Sequence, residues 1–227
     1  MKKLLSIIIP VYNEEATIKK VIEKVSKTDL GIDKELIVVD DYSKDNTKKI
    51  LKSLEKKHKL KLIFKPKNGG KGTALREGFK HAKGDIITIH DADFEYNTED
   101  LKYLIKPILE RKYQVVYGSR FLNFKANKTI FYYGNKFLSL MTTLIYLNRI
   151  TDMETCYKVF DAKVIKSIPL TGKGFEIEPE MTSKILKKGI KIKEFPIKYN
   201  PRTAEEGKKI KKSDGIKALW TLIRNRL

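Results

Sequence analysis

The sequence predicts an α/β protein in which a mostly parallel, Rossmann-like central sheet is flanked by helices, with amphipathic helices toward the C-terminus. Two observations in the first 120 residues predict this fold. Short apolar runs rich in β-branched residues alternate with segments whose apolar residues recur every three or four positions. Polar clusters directly follow several of those runs. The chain has 227 residues with an apolar fraction of 41%, so it can bury a core and is not expected to be disordered.

Strands are predicted where apolar residues are continuous, as expected for strands that are buried on both faces. These runs cover residues 5–9, 35–39, 60–64, 85–90 and 115–117. Helices are predicted between them from helical spacing, as shown by Ile18, Val21, Ile22 and Val25 within residues 14–26. Further helices are predicted over residues 46–57, from the glycine-rich turn at 68–72 through 82, and after a cap at Thr98.

The second half of the chain is less regular. Residues 129–147 and 216–223 are predicted to be amphipathic helices, and residues 191–199 a last strand. Residues 175–186 carry two acids on a predicted helix, and residues 205–213 form a basic loop. No internal repeat and no linker rich in Pro or Ser is found, so a single domain over residues 1–227 is expected.

Composition limits the partners. The net charge is +20, but lysines (41) far outnumber arginines (7), and base recognition relies on arginine, so we do not expect nucleic-acid binding. Anionic lipid headgroups or phosphorylated substrates fit this balance better. Cys156 is the only cysteine, which excludes a disulfide within the chain and suits a reducing compartment. No uncharged apolar stretch reaches 18 residues, so no membrane span is expected.

The polar clusters predict one site. They lie at residues 12–14, 40–43, 91–93 and 119–120, each after a predicted strand. Because ligands bind at the carboxyl ends of strands in such sheets, these clusters should converge. Asp91, Asp93 and Glu95 offer carboxylates at alternating positions, which are the hard oxygen ligands that Mg²⁺ or Mn²⁺ requires. The alternative is that these acids only cap a helix or shape a turn.

Eight segments resemble family 2 of the nucleotide-sugar glycosyltransferases, which have the GT-A fold, and they occur in order along nearly the whole chain. The segments are SIIIPVYNEE (6–15), VVDDYSKDNT (38–47), NGGKGTALREG (68–78), GDIITIHDAD (84–93), VVYGSRF (115–121), DMETCYKVF (152–160), GFEIEPE (174–180) and EFPIKYNPRTAEEGKKI (194–210). Within that family, the chain is most similar to the branch that contains dolichyl-phosphate mannose and glucose synthases.

The resemblance implies an inverting, metal-dependent enzyme. It would move a hexose-type sugar from a UDP- or GDP-linked donor to a polyprenyl (dolichyl) phosphate or another lipid-linked acceptor, with Mn²⁺ or Mg²⁺ as cofactor. Residues 1–120 would form the nucleotide-sugar-binding half and residues 121–227 the acceptor-side half. Two alternatives stay open: transfer to a lipid or saccharide hydroxyl, and a non-catalytic nucleotide or nucleic-acid binding protein.

The resemblance also implies roles for individual residues. The metal would lie on Asp91, Asp93 and Glu95, and Asp93, Arg120 and Glu180 would serve catalysis. The nucleotide-sugar would contact Pro10, Tyr12, Glu14, Val39, Asp41, Lys71, Asp91, Ala92, Asp93, Arg202, Lys208 and Lys209. The acceptor would contact Arg120, Lys136 and Glu178. If the acceptor were a hydroxyl, Glu178 or Glu180 would act as general base; an ionised phosphate would need none.

Membrane contact is expected without a span. Residues 130–147 and 216–227 are apolar on one side, and Trp220 lies among Lys217, Arg224 and Arg226, a composition that suits a headgroup layer. We therefore expect a cytoplasmic protein, attached peripherally at the inner face of the cell membrane. Core packing or a subunit interface would explain the same helices, and the sequence leaves the oligomeric state open.

Overall fold

A computed structural model describes residues 3–122, 130–202 and 212–227, and the side chains of all of these except residues 130 and 212. The strands are β1 (Leu4–Val11), β2 (Asp33–Asp40), β3 (Lys61–Phe64), β4 (Ile86–Ile89), β5 (Val115–Ser119), β6 (Lys158–Asp161) and β7 (Ile192–Pro196). The helices are α1 (Ile18–Lys27), α2 (Thr47–His58), α3 (Lys71–His81), α4 (Asp100–Leu109), α5 (Ile130–Tyr146), α6 (Ala162–Lys166), α7 (Ile177–Lys187) and α8 (Lys212–Arg226).

The strands form one sheet in the order β3-β2-β1-β4-β6-β5-β7. The pairs β3–β2, β2–β1, β1–β4 and β5–β7 are parallel, whereas β6 runs antiparallel to both β4 and β5. The sheet is therefore mostly parallel and flanked by helices, as predicted. The carboxyl ends of β1, β2, β4 and β5 all point to the same edge of the sheet, which is where ligands bind in open α/β folds.

The core follows from the continuous apolar strands. Ile7, Ile8 and Ile9 of β1 are completely buried because helices cover both faces of the central strands. The predicted apolar stripe of α1 (Ile18, Val21, Ile22 and Val25) is buried against that core, as its helical spacing indicates.

Helix α5 spans Ile130–Tyr146, within the segment for which one or two helices are expected. Two other segments differ from the sequence-based expectations. The predicted helix over residues 14–26 begins only at Ile18, because residues 14–17 turn toward the sheet edge. Strand β6 and helix α6 were not predicted. Strand β6 has only four residues and begins with a lysine, so its local pattern is weak, and its position depends on pairing with the distant strands β4 and β5.

Helices α5 and α8 lie side by side, and the Tyr146 hydroxyl donates a hydrogen bond to the Leu222 carbonyl oxygen at 2.8 Å. Both helices expose apolar side chains at intervals of three or four residues. On α5 and just after it these are Tyr133, Phe137, Leu140, Leu144 and Leu147, and on α8 and just after it they are Ile216, Trp220, Ile223 and Leu227. In the part of the chain that the structure describes, none of the helices has both the length and the apolar composition needed to cross a membrane.

Candidate active site

The predicted polar clusters meet at the carboxyl edge of the sheet. The Asp41 N–H donates to the Val11 carbonyl oxygen at 2.8 Å, which joins the ends of β1 and β2. The Thr17 hydroxyl donates to the Ala92 carbonyl oxygen at 2.7 Å and thereby holds the loop after β1 against the loop after β4. Pro10 and Val39 are register partners at the ends of their strands, and Val39 is completely buried.

Asp91 belongs to a chain of ion pairs that runs from the partly exposed edge of the sheet into the buried interior. The Lys71 ammonium lies 2.9 Å from Asp91 Oδ1 and 3.2 Å from Glu178 Oε1, and Lys158 binds Glu178 Oε2 at 2.6 Å. Burial would raise the pKa of Asp91, but the Lys71 ammonium outweighs that effect, so the pKa lies below its ordinary value. Burial likewise opposes the charge of Lys71, yet Asp91 and Glu178 hold its pKa well above the usual range.

Asp93 faces Arg202. The Arg202 Nη2 lies 2.6 Å from Asp93 Oδ2, and its Nη1 lies 3.3 Å from Glu14 Oε2. Burial and the charge of Asp91 raise the pKa of Asp93 to about 7, and the Arg202 guanidinium only partly offsets them. Negative charge at Asp93 is therefore incompletely compensated by the protein alone, so a bound cation would favour its ionised form.

Asp91 and Asp93 fit a divalent cation that is held by one or two carboxylates and completed by phosphate oxygens of a ligand. Among residues 3–122, 130–202 and 212–227, however, no three acidic, histidine or cysteine side chains are placed to share one metal. The three-carboxylate set is thus not assembled among these residues, and it stays a prediction for the metal-bound protein. Glu95 accepts hydrogen bonds from the backbone N–H of Arg202 at 2.7 Å and from the Tyr199 hydroxyl at 3.2 Å. It therefore holds the backbone segment that carries Arg202.

Asp41 anchors the glycine-rich turn before α3. Its carboxylate accepts hydrogen bonds from the N–H groups of Gly69 at 3.0 Å and Gly70 at 2.7 Å, and it pairs with Lys65. The expected contact between this carboxylate and a nucleotide must compete with these protein donors. Gly72, in the first turn of α3, must be glycine because a Cβ there would lie 2.5 Å from the Gly172 carbonyl oxygen.

Glu180, expected to be catalytic, binds the loop at residues 171–172, whose Gly172 carbonyl oxygen faces Gly72. It accepts from the Thr171 hydroxyl at 2.8 Å and the Gly172 N–H at 2.7 Å, and it pairs with Lys184 at 2.6 Å. Burial would raise the pKa of Glu180, but Lys184 and these donors lower it below its usual value. The resemblance implied that Glu180 takes part in the reaction. In the structure its oxygens accept hydrogen bonds from Thr171 and Gly172, because the backbone of residues 171–172 folds onto the start of α7.

Arg120 is clamped by Asp152 at the end of β5. The Asp152 carboxylate accepts from Arg120 Nε and Nη2, both at 2.7 Å, and from its backbone N–H at 2.8 Å. The guanidinium carbon also lies 5.0 Å from the centre of the Tyr199 ring and 5.6 Å from that of Phe121. Lys136 of α5 lies over the same Phe121 ring at 5.6 Å, so the two predicted acceptor-side cations flank one aromatic side chain.

Asp152 and Lys158 are the important residues that sequence reasoning did not single out. Both are completely buried, and each neutralises a predicted site residue, Arg120 and Glu178 respectively. The available signal was the polar cluster at residues 152–160, whose charges lie in a segment that is otherwise apolar. Lys208 and Lys209 lie outside the described residues.

A mostly parallel sheet with an Asp-x-Asp pair at the end of a central strand is typical of glycosyltransferases with the GT-A fold. Comparison with known proteins gives the family. The family model described as "Glycosyl transferase family 2" matches residues 6–168. This chain belongs to glycosyl transferase family 2, and it is a glycosyltransferase.

Its curated relatives include enzymes of the dolichyl-phosphate branch. The chain is 32% identical to a dolichyl-phosphate beta-glucosyltransferase of Trichomonas vaginalis, over 97% of this chain and 72% of that protein. It is 33% identical to a UDP-N-acetylglucosamine–dolichyl-phosphate N-acetylglucosaminyltransferase of Methanococcus voltae, over 86% of this chain and 85% of that protein. It is 31% identical to the dolichol-phosphate mannosyltransferase of Pyrococcus furiosus, over 89% of this chain but only 58% of that protein.

Solved structures confirm the fold. Glucosyl-3-phosphoglycerate synthase of Mycobacterium tuberculosis, crystallised with Mn²⁺, UDP and phosphoglyceric acid, superposes with a TM-score of 0.75. The match covers 99% of this chain and 78% of that one at 20% identity. The same enzyme has also been crystallised with Mg²⁺ and UDP.

Proposed function

We propose that this protein transfers a hexose-type sugar, with inversion at the anomeric carbon, from a UDP- or GDP-sugar to the phosphate of a polyprenyl (dolichyl) phosphate. The observation that carries the proposal is the acceptor side of the site. There a buried arginine, Arg120, is held in a fixed orientation by Asp152 and lies beside Lys136 across Phe121. A planar, preorganised guanidinium is suited to binding a phosphate.

On the donor side, Asp91 and Asp93 are proposed to hold Mn²⁺ or Mg²⁺ together with oxygens of the donor diphosphate. When bound, the ion supplies positive charge to the diphosphate as it leaves. Arg202 lies at the same carboxylates and adds a second cation there. Residues 1–120 are thus proposed to supply most of the donor side and residues 121–227 most of the acceptor side. Arg120 lies on the acceptor side at the boundary, and Arg202 reaches back to the donor side within a single domain.

Glu178 and Glu180, the two acids that the sequence offers as general bases, favour an acceptor that is already ionised. Transfer to a hydroxyl requires a general base with an available carboxylate. Glu178 is paired with Lys158 and Lys71, and Glu180 is occupied by the 171–172 loop and Lys184. A phosphate needs no base, so catalysis then consists of holding the phosphate in line with the anomeric carbon and stabilising the leaving diphosphate.

The lipid part of the acceptor is supported by the exposed apolar side chains of α5 and α8, which we call the α5/α8 face. Its members, named with the two helices above, include Leu144 and Trp220, which are 59% and 61% exposed. Phe121, which contacts Arg120, also meets Tyr132 near the start of α5, with ring centres 5.1 Å apart. We propose that this face lies on the cytoplasmic surface of the membrane, where it would bring Arg120 close to lipid phosphates.

The α5/α8 face predicts vesicle binding. Replacing both Leu144 and Trp220 with Ser should weaken co-sedimentation with vesicles containing anionic lipid by at least about tenfold, because burial of each side chain contributes roughly 1.5–3 kcal/mol. Tyr103→Ser removes an exposed aromatic ring from α4 and serves as the control. Unchanged vesicle binding by the double variant, or an equal loss in the control, would contradict the proposed membrane face.

The proposed reaction is tested by incubating the protein with labelled UDP- and GDP-sugars, Mg²⁺ or Mn²⁺, and polyprenyl phosphate. Label should enter the organic phase only when polyprenyl phosphate and metal are both present, and the product should carry the anomeric configuration opposite to that of the donor. Omission of the metal and replacement of the phosphate by the free polyprenol are the controls. Transfer to the free alcohol, or retention of configuration, would refute the corresponding part of the proposal.

A further inference from the structure

Glu154 is a carboxyl group for which the mechanism above has no use. It lies in the turn between Asp152, which clamps Arg120, and Cys156, whose thiol interacts with Asp91. Its Oε1 atom is buried and accepts no hydrogen bond within the described part of the chain. Leaving a buried polar atom without a hydrogen-bond partner lowers the stability of the folded protein by about 1–3 kcal/mol. Such an atom therefore indicates a partner that arrives with a substrate.

The charges around Glu154 are already matched. Four charged groups face it: Lys158 from β6, Glu178 from α7, Arg120 from the end of β5 and Asp152 from its own segment. Arg120 is paired with Asp152, and Lys158 with Glu178. Each cation thus has its own carboxylate, and Glu154 is an additional acid that forms no ion pair with any of the residues that the structure describes.

This position lies between the two halves of the reaction. Glu178 pairs with Lys71, which in turn pairs with Asp91 on the donor side. Asp152 pairs with Arg120 on the acceptor side. Burial and the two neighbouring carboxylates outweigh Lys158 and Arg120 and raise the pKa of Glu154 to about 7. A phosphate dianion entering beside it would raise that pKa further, since it brings another like charge.

We propose that Glu154 is held as the uncharged acid and donates a hydrogen bond to a phosphate oxygen of the acceptor bound at Arg120. The carboxylic acid then complements the guanidinium, because both donate to the same phosphate group. This inference rests on the proposed function, since it takes the acceptor to be a phosphate. It makes Glu154 a substrate-contacting residue that recognises phosphate without adding a fixed charge.

The first test is the pH dependence of kcat/KM for farnesyl phosphate, a short polyprenyl phosphate, at saturating donor and metal. The wild type should show a rising limb near pH 6, where the acceptor phosphate ionises, and a fall of about tenfold per pH unit above about pH 7, where Glu154 ionises. Glu154→Gln keeps a hydrogen-bond donor without the ionisation, so it should stay within about threefold of the wild type at pH 7 and lose the falling limb. Glu154→Ala should lose about 10- to 100-fold.

The second test needs no variant. At pH 7.5, calorimetry of farnesyl phosphate binding in two buffers of different ionisation heat should show uptake of more than about half a proton by the wild type, because Glu154 is protonated as the phosphate binds. Glu154→Gln should take up none. The exposed Glu110→Gln is the matched control and should behave as the wild type in both tests.

The outcomes separate the two proposals. If the wild type transfers sugar to farnesyl phosphate but takes up no proton, or if Glu154→Gln keeps the falling limb, the inference about Glu154 is wrong and the proposed function stands. If the wild type uses only hydroxyl acceptors and Glu154→Gln abolishes that transfer, both are wrong, and Glu154 is then a general base.

Discussion

Replacing Asp93 with Asn should lower sugar transfer about 100- to 1,000-fold, the range seen when one electrostatic contact to a developing charge is removed. The charge of Asp93 is incompletely compensated: burial and Asp91 raise its pKa to about 7 although Arg202 is in contact with it. The amide keeps the shape of the side chain but loses the charge that would hold a divalent ion. Mn²⁺ binding, followed by electron paramagnetic resonance, should weaken in parallel.

Glu95→Gln is the matched control for this prediction. Glu95 carries the same charge two residues away, but it binds Tyr199 and the Arg202 backbone rather than completing a metal set. We expect its effect on Mn²⁺ affinity to be much smaller than that of Asp93→Asn. Equal losses in the two variants would show that Glu95 is a metal ligand after all, and full transfer by Asp93→Asn would exclude the proposed role of Asp93.

Replacing Asp152 with Ala should lower the free energy of unfolding by about 3–5 kcal/mol, because it leaves Arg120 buried without its counter-ion. Asp152 is completely buried, and Arg120 is only 8% exposed, so water cannot replace the lost carboxylate. Denaturation in urea measures the change, which should appear as a lower midpoint with little change in slope.

Two further variants show whether the lower stability of Asp152→Ala comes from the lost ion pair or from altered packing. The double variant Arg120→Met with Asp152→Leu removes both charges and should recover most of the lost stability, since buried pairs are often replaceable by apolar groups. It should still be inactive toward polyprenyl phosphate, because no guanidinium remains. Glu110→Gln, which breaks the exposed pair with Lys112, should leave the denaturation midpoint unchanged. A double variant as unstable as Asp152→Ala would mean that the loss comes from packing.

Much of the fold was predictable because its signals are local. Strands β1 and β2 are continuous apolar runs, and a run without alternation indicates a strand that is buried on both faces. Strand β6 was missed because four residues that begin with a lysine carry no such signal. Its place is determined by the residues it pairs with, about 40 to 75 positions away along the chain.

For the candidate site, the position could be predicted from the sequence, but the roles of individual residues could not. The acids and cations of the site follow strands, so their convergence could be inferred from the topology of parallel sheets. Their individual roles could not, because a carboxylate looks the same in sequence whether it faces a substrate or a loop. Glu180 was expected to be catalytic, yet its oxygens are filled by the backbone of residues 171–172, which lies eight to nine positions away.

The sequence by itself determined the α/β class, the Asp91-Ala92-Asp93 motif at the end of a buried strand and the family to which the chain belongs. These depend on periodicity and on short segments, which are properties of neighbouring residues. Only the tertiary structure decided which charges meet: Lys71 with Asp91, Arg202 with Asp93, and Arg120 with Asp152. Only the structure, too, showed that Glu154 Oε1 has no partner in the described part of the chain. The physical reason is that pairing energy depends on separation and burial in space, and folding brings together groups that are 20 to 109 residues apart in the chain.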